Sequence, residues 1–384
     1  LANHLWANGK ALLLAGVFFQ GPEAERWRLK GMKILSSELT EQCLADGGHF
    51  ERSPMYHSIF LDDIIDILYL AKTFSTLFDR SWISSLELSA HSMLSWLYLM
   101  SHPDNNISFF NDSTFGISAP LSVLISDFNS IAQYAPQFEK FKLYSTFLSN
   151  SGFCRLSNDV ITCLCDVGSV GPNYIPGHAH AEALCFELSY LSTRVVVNSG
   201  VSLYGSSYER IRQRSTFSHS ALAIDDTNSS DVWSGFRVGR RSVVKDTRLA
   251  VNKSTKVLTA NHDGYKHLLG APIHKRTWSL SDSSLIISDE INGSGSHTIS
   301  IYFPLSPYCK NLKLVDNILS FDMYGSNSSF SVKVSWDKHL SSSIIPSYWH
   351  PGFNLSVDNK ILRLSSFASL PTCYDTSFIF CASA

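Results

Sequence analysis

Two imidazoles one residue apart, His178 and His180, lie in the run Pro176-Gly177-His178-Ala179-His180-Ala181-Glu182. On an extended chain residues two apart project to the same side, so both rings can face one ligand. Asn198-Ser199-Gly200 and Ser218-His219-Ser220 end and begin nearby strand candidates. Two or three imidazoles and an oxygen donor from neighbouring strands can form a zinc site. An HxH pair is equally what hydrogen-bonded rim histidines look like. A second polar run, Asp46 to His57 (DGGHFERSPMYH), holds Arg52 and Tyr56 and joins two amphipathic stretches. Loops at helix ends often carry function. Asn3-His4 forms a third cluster. Arg210, Arg212 and Arg214 alternate, and Arg237, Arg240 and Arg241 follow. If extended, the first three line one face suited to planar carboxylate or sulfate groups, or they guard a solvated sheet edge. Trp233, with Trp6, Trp27, Trp278 and Tyr265, can stack on a sugar or fill a core.

The elements that must hold these groups change character along the chain. Leu29, Met32, Leu35 and Leu39 recur at helical spacing in a run opened by Pro22. Helices are also expected over Ile59 to Phe74, Trp82 to Met100, and Leu121 to Leu148 with a break near Pro136. The apolar stretch Ala11 to Phe19 reads as a buried helix, and Pro103 to Ser118 as a loop. After Gly152 the apolar period becomes 2. Short strands are expected from Cys163 to Asp166 onward to Ser377 to Phe380, separated by Asn-Gly, Ser-Gly and Asp-Ser turns. One of them is expected over Leu312 to Phe321. Helices first and strands later imply segregated layers or domains, divided near residue 150: a helical part, 1–150, and a β part, 151–384.

Composition sets limits. The chain has 384 residues, 44% apolar and 17% charged, with a net charge of −2. That excludes a globally basic nucleic-acid binder. The Ala11–Phe19 run has nine residues, against about 20 for a membrane span. Eight cysteines include no CxxC pair, which excludes zinc-finger and thioredoxin patterns. GxGxxG, Walker and GxSxG motifs are absent.

Taken in order, NHLWANGKALLLAGVFF, DGGHFERSPMYH, GHAHAEALCFELS, RQRSTFSHSALAID and HDGYKHL resemble the heparinase II/III-like polysaccharide lyases. The resemblance implies an α+β multidomain chain, a partial (α/α) toroid followed by an antiparallel β-sandwich domain, with the cleft between them. It implies β-elimination on an acidic, uronate-containing polysaccharide, in the periplasm or outside the cell. Asn3 and His4 match positions that neutralise the substrate carboxylate. Tyr56 matches the tyrosine that acts as base, acid or both, and His178 a second active-site histidine across the cleft. A free phenol near pKa 10 would need a neighbouring charge, Arg52 or protonated His178, to lower it. Arg52, Arg210, Arg212, Arg214 and Trp233 are candidate substrate contacts. The family's structural divalent cation, zinc or another, would fall to His180, Asn198 and His219, with an amide where an aspartate is expected. The same fold can also serve an acidic-glycan-binding or surface-polysaccharide assembly protein without catalysis. Several toroid helices that precede the Asn-His motif in such enzymes are expected to be missing here.

Overall fold

The structure, a computed structural model, describes residues 2–132, 144–325 and 329–382. Helices come first: α1 (Asn3–Phe18), α2 (Pro22–Gln42), α3 (Pro54–Thr73), α4 (Arg80–Met100) and α5 (Leu121–Ile131). Pro22 and Pro54 each stand in a first turn, where the missing N–H would be unpaired anyway. α3 thus begins ahead of the expected Ile59, because Ser53 caps it by accepting the Tyr56 N–H at 3.1 Å. α1 is helical as expected but buries one face, through Trp6, Gly9, Leu13 and Gly16, while Phe18 and Phe19 are exposed. Its contact with α2 is set by glycines. A Cβ on Gly16 would lie 2.4 Å from the Arg28 backbone. The expected helix to Leu148 stops at Ile131. Pro136 lies outside the described residues, and residues 146–148 are a strand.

The β half begins with β1 (Thr146–Leu148), β2 (Phe153–Ser157), β3 (Ile161–Asp166), β4 (Phe186–Tyr190) and β5 (Thr193–Val196). A short helix, α6 (Tyr208–Arg214), precedes β6 (Leu222–Ile224), β7 (Val232–Trp233) and β8 (Arg237–Val238). β9 (Val244–Val251), β10 (Lys256–His262), β11 (Ile273–Leu280), β12 (Ser284–Asn292) and β13 (Ser296–Leu305) follow. The last are β14 (Lys310–Val315), β15 (Ile318–Tyr324), β16 (Ser329–Trp336), β17 (Ser341–Trp349), β18 (Val357–Ser369) and β19 (Thr372–Ala382). The expected strand at Leu312 to Phe321 is therefore two, turned at Asp316 in the left-handed region.

Among the described residues two large antiparallel sheets form, beside a two-stranded β7-β8 ribbon. The first runs β1-β2-β3-β4-β5-β13-β18-β17 with β6 beside β13, and the second runs β14-β15-β16-β19-β12-β11-β10-β9. They pack face to face through Leu156, Cys163, Phe186, Ile299 and Phe303 against Leu258, Trp278, Ile287, Val332 and Phe378. β2 and β3 are buried at every position. Their other face, Phe153 and Leu164 with Cys185, joins the helical core around Trp96, Leu97 and Phe110. The order is helices, sheet, sheet, and β2 and β3 of the first sheet are covered on both sides, as unbroken apolar runs require. No helix among the described residues is long and apolar enough to cross a membrane.

Candidate active site

The DGGHFERSP loop between α2 and α3 is held by its own first residues. Asp46 accepts Ser151 N–H at 2.7 Å and Ser151 Oγ–H at 3.0 Å, tying the loop to the β half. Gly47 has φ 85°, and a Cβ there would stand 2.2 Å from the Ser92 carbonyl oxygen of α4. Arg52 is also left-handed, at φ 59°, and its guanidinium donates to the Ser169 carbonyl. Next comes Tyr56, in the first turn of α3. His57 is a core residue, donating from Nε2 to the Met93 carbonyl at 3.0 Å and stacked on Trp96.

Tyr56 and His178 meet. Their ring centroids are 3.9 Å apart at 32°. The sequence leads one to expect the two on opposite sides of a sugar, but no sugar fits in that gap. Tyr204 and Phe236 complete the wall, with Tyr204 Oη 3.0 Å from Tyr56 Oη and the Phe236 ring 5.9 Å from His178.

Behind His178 stands Asp112, which sequence reasoning missed inside the loop between α4 and α5. It is fully buried. Its Oδ2 accepts His178 Nδ1–H at 2.9 Å and Arg210 Nη2–H at 2.7 Å. Its Oδ1 accepts His180 Nε2–H at 2.8 Å and a second Arg210 N–H. Four donors fill the acceptor capacity of one carboxylate. Burial alone would raise Asp112, but the Arg210 guanidinium and then the histidine hydrogen bonds hold it well below the carboxylate range. Glu51, also buried and missed, faces His178 Nε2 at 3.9 Å.

The arginines are not extended. Ser207 caps α6 by accepting Arg210 N–H at 3.2 Å, so Arg210 and Arg214 share a helical face four residues apart. Both are fully buried. Arg210 is committed to Asp112, and Arg214 donates to the Ala179 carbonyl at 2.9 Å and to the turn around Trp233. Arg212 faces the other way, pairing Glu209 at 2.7 Å and lying 2.9 Å from His350 Nε2. Trp233 is half exposed beside this turn. At the start of α1, Asn3 accepts the His4 N–H at 2.8 Å, and His4 is exposed. Neither makes a described contact with Tyr56 or His178.

The expected lowering of Tyr56 does not occur. Burial dominates and pushes it up to about 12, against the Tyr204 hydrogen bond, with Asp112 and Glu51 adding to the rise. Arg52 is turned away to Ser169, and Arg210 is neutralised by Asp112. Tyr56 therefore keeps its proton at neutral pH.

Whether a divalent ion fits is decided by lone pairs. His180 Nε2 faces a carboxylate and His219 Nδ1 faces the Ser215 carbonyl at 2.9 Å. Both partners only accept, so both of those nitrogens carry the hydrogen. In the neutral rings the remaining nitrogens, His180 Nδ1 and His219 Nε2, are bare and lie 3.1 Å apart. Glu182 Oε2 lies 2.9 Å from His219 Nε2 and accepts no hydrogen bond. Such a set fits a cation. Asn198 makes its hydrogen bonds elsewhere. Its N–H goes to Glu187 at 2.8 Å, its Nδ2 faces Cys185 Sγ at 3.7 Å, and its Oδ1 is buried without a partner.

Residues 1–143 match the family model for the heparinase II/III N-terminus, and residues 142–368 the heparinase II/III-like C-terminal model. The chain belongs to the heparinase II/III-like family. Among its relatives is a heparin-sulfate lyase of Pedobacter heparinus, 27% identical over 253 residues, covering 59% of this chain and 36% of that protein. A heparin-sulfate lyase of Bacteroides stercoris is 24% identical over 325 residues, covering 79% and 46%. The chain thus spans less than half the length of these curated relatives. A solved heparinase III structure matches the whole chain and 62% of its own, with TM-score 0.81 at 17% identity. A heparan sulfate lyase structure from Pedobacter heparinus gives 0.75 at 18%, over the whole chain and 60% of its own. These likenesses bear out the α+β fold class, a partial toroid and an antiparallel β-sandwich, in this heparinase II/III-like chain.

Proposed function

We propose that the wall formed by Tyr56, His178 and Tyr204 cleaves a uronate-containing glycosaminoglycan by β-elimination. The observation that carries this reading is the stacking of Tyr56 on His178, whose Nδ1–H is committed to the buried Asp112. That hydrogen bond fixes the tautomer and leaves Nε2 bare as a proton acceptor. In the proposed step Nε2 takes the C5 proton of the uronate. The electron pair forms the C4–C5 double bond, the C4–O bond breaks, and the Tyr56 hydroxyl protonates the departing oxygen. A phenol held near 12 is still protonated when that oxygen leaves. The resemblance gives Asn3 and His4 the neutralisation of the uronate carboxylate, but no step here is routed through them. The heparin-sulfate lyase relatives favour a sulfated substrate, and the family resemblance alone suggests that it is met in the periplasm or outside the cell.

The test is incubation of the purified chain with heparan sulfate, heparin, chondroitin sulfate and hyaluronan. An unsaturated, ultraviolet-absorbing product is expected from at least one. Binding without any product would replace this reading with the non-catalytic glycan-binding one. Shortened chains with saturated ends would mean hydrolysis. Tyr56→Phe and His178→Ala should each lower the rate by about 10²-fold or more.

A further inference from the structure

We propose that Glu182, and not Asn198, supplies the anionic ligand of a buried divalent-cation site completed by His180 Nδ1 and His219 Nε2. The three donor atoms lie within 4.8 Å of one another, on residues that are all buried. When both rings are neutral, two bare imidazole nitrogens 3.1 Å apart, with a carboxylate oxygen 2.9 Å from one of them, repel unless a proton or a metal cation lies between. Those separations are near the ~3.3 Å edge of a tetrahedron with zinc–nitrogen bonds of ~2.0 Å. Two imidazoles and one carboxylate are a zinc-class donor set rather than a calcium or magnesium one.

The surroundings hold the three ligands in place. Each imidazole has its other nitrogen tied, to Asp112 or to the Ser215 carbonyl, as metal-bound histidines generally do. Glu182 Oε1 accepts the Asn111 N–H at 2.6 Å, which leaves Oε2 for the ion. Arg276, paired with Asp289, donates to the Leu184 carbonyl at 2.9 Å and the Ser220 carbonyl at 2.6 Å. One buried side chain thereby fixes both segments that carry the ligands. A second buried group, Asp166, Glu182 and Cys185, also lies within 4.8 Å. It has no imidazole, and Asp166 Oδ1 already accepts the Gly168 N–H at 2.8 Å.

Metal content tests this independently of any lyase activity. The purified chain, loaded with zinc and dialysed, should retain about one ion per chain by elemental mass spectrometry. Glu182→Gln and His219→Ala should lower retention by ~10-fold or more. Asn198→Ala and Asp166→Asn should retain the wild-type amount. Loss in Asn198→Ala with retention in Glu182→Gln would overturn the assignment, as would a wild-type chain that holds no ion. Should a Glu182 variant fail to fold by circular dichroism, cobalt(II) loading of the wild type decides. Visible bands of a four-coordinate nitrogen and oxygen site support the proposal. A thiolate charge-transfer band, as a Cys185-containing site would give, refutes it.

Discussion

The Tyr56 hydroxyl lies 3.0 Å from the hydroxyl of Tyr204, 148 residues further along the chain. Burial drives Tyr56 up to about 12, and this hydrogen bond is the largest effect opposing it. A hydrogen bond to a charged group is worth about 1.5–3 kcal/mol. Tyr204→Phe should therefore move Tyr56 further up, and on the proposed reading lower turnover by roughly 10–100-fold. The pH–rate profile checks it. Its Tyr56-dependent limb should shift to higher pH, whereas a merely structural role for Tyr204 would lower rates without moving the limb.

Asp112 holds Arg210, His178 and His180 at once, and removing one partner of a buried ion pair costs about 3–5 kcal/mol. Asp112→Asn should lower stability by that order, read as a shift of the urea midpoint. It also releases the His178 tautomer. By comparison with a catalytic-triad aspartate, turnover should fall by ~10³–10⁴-fold. An unchanged midpoint would mean the four hydrogen bonds to Asp112 contribute little.

Gly47 and Gly116 are both left-handed, at φ 85° and 77°, yet alanine should treat them differently. At Gly116 nothing lies within 4 Å of the added Cβ, so only the backbone penalty of about 1–2 kcal/mol applies. At Gly47 the Cβ meets the Ser92 carbonyl at 2.2 Å, and the loop carrying Glu51 and Arg52 must move. Thermal melts of the two variants should separate by several degrees, with Gly47→Ala lower. Equal melting would show that α4 gives way.

Strong periodicity was legible where one face is buried. α2 opens at Pro22 as expected, and α4 begins and ends within two residues of the positions read from apolar spacing. Missed elements have physical causes. β17 is a sheet-edge strand with Pro346 in it and only Trp349 buried, so no apolar alternation marks it. Arg210, Arg212 and Arg214 alternate like a strand, but the Ser207 cap makes that segment helical. Tyr56 and His178 were legible as motif residues. Asp112 was not, because an aspartate in an Asn- and Ser-rich loop has no period. Its meaning comes from partners 66, 68 and 98 residues away.

Glu51 makes stability depend on pH in a direction opposite to that of most carboxylates. Burial pushes its carboxyl up to about 7, opposed by His178 and reinforced by Asp112. In the unfolded chain a glutamate titrates near 4.3. Between those values the folded chain binds more protons than the unfolded one, so stability falls as pH rises. The contribution is complete below about pH 4 and lost above about pH 7. The rise from about 4.3 to about 7 corresponds to roughly 3–4 kcal/mol. Glu51→Gln removes this titration and leaves the other groups in place. Measured by urea unfolding, the variant should gain roughly 3–4 kcal/mol relative to the wild type between pH 4 and pH 8. A difference that stays constant across that window would show that Glu51 is ionised in the folded chain throughout.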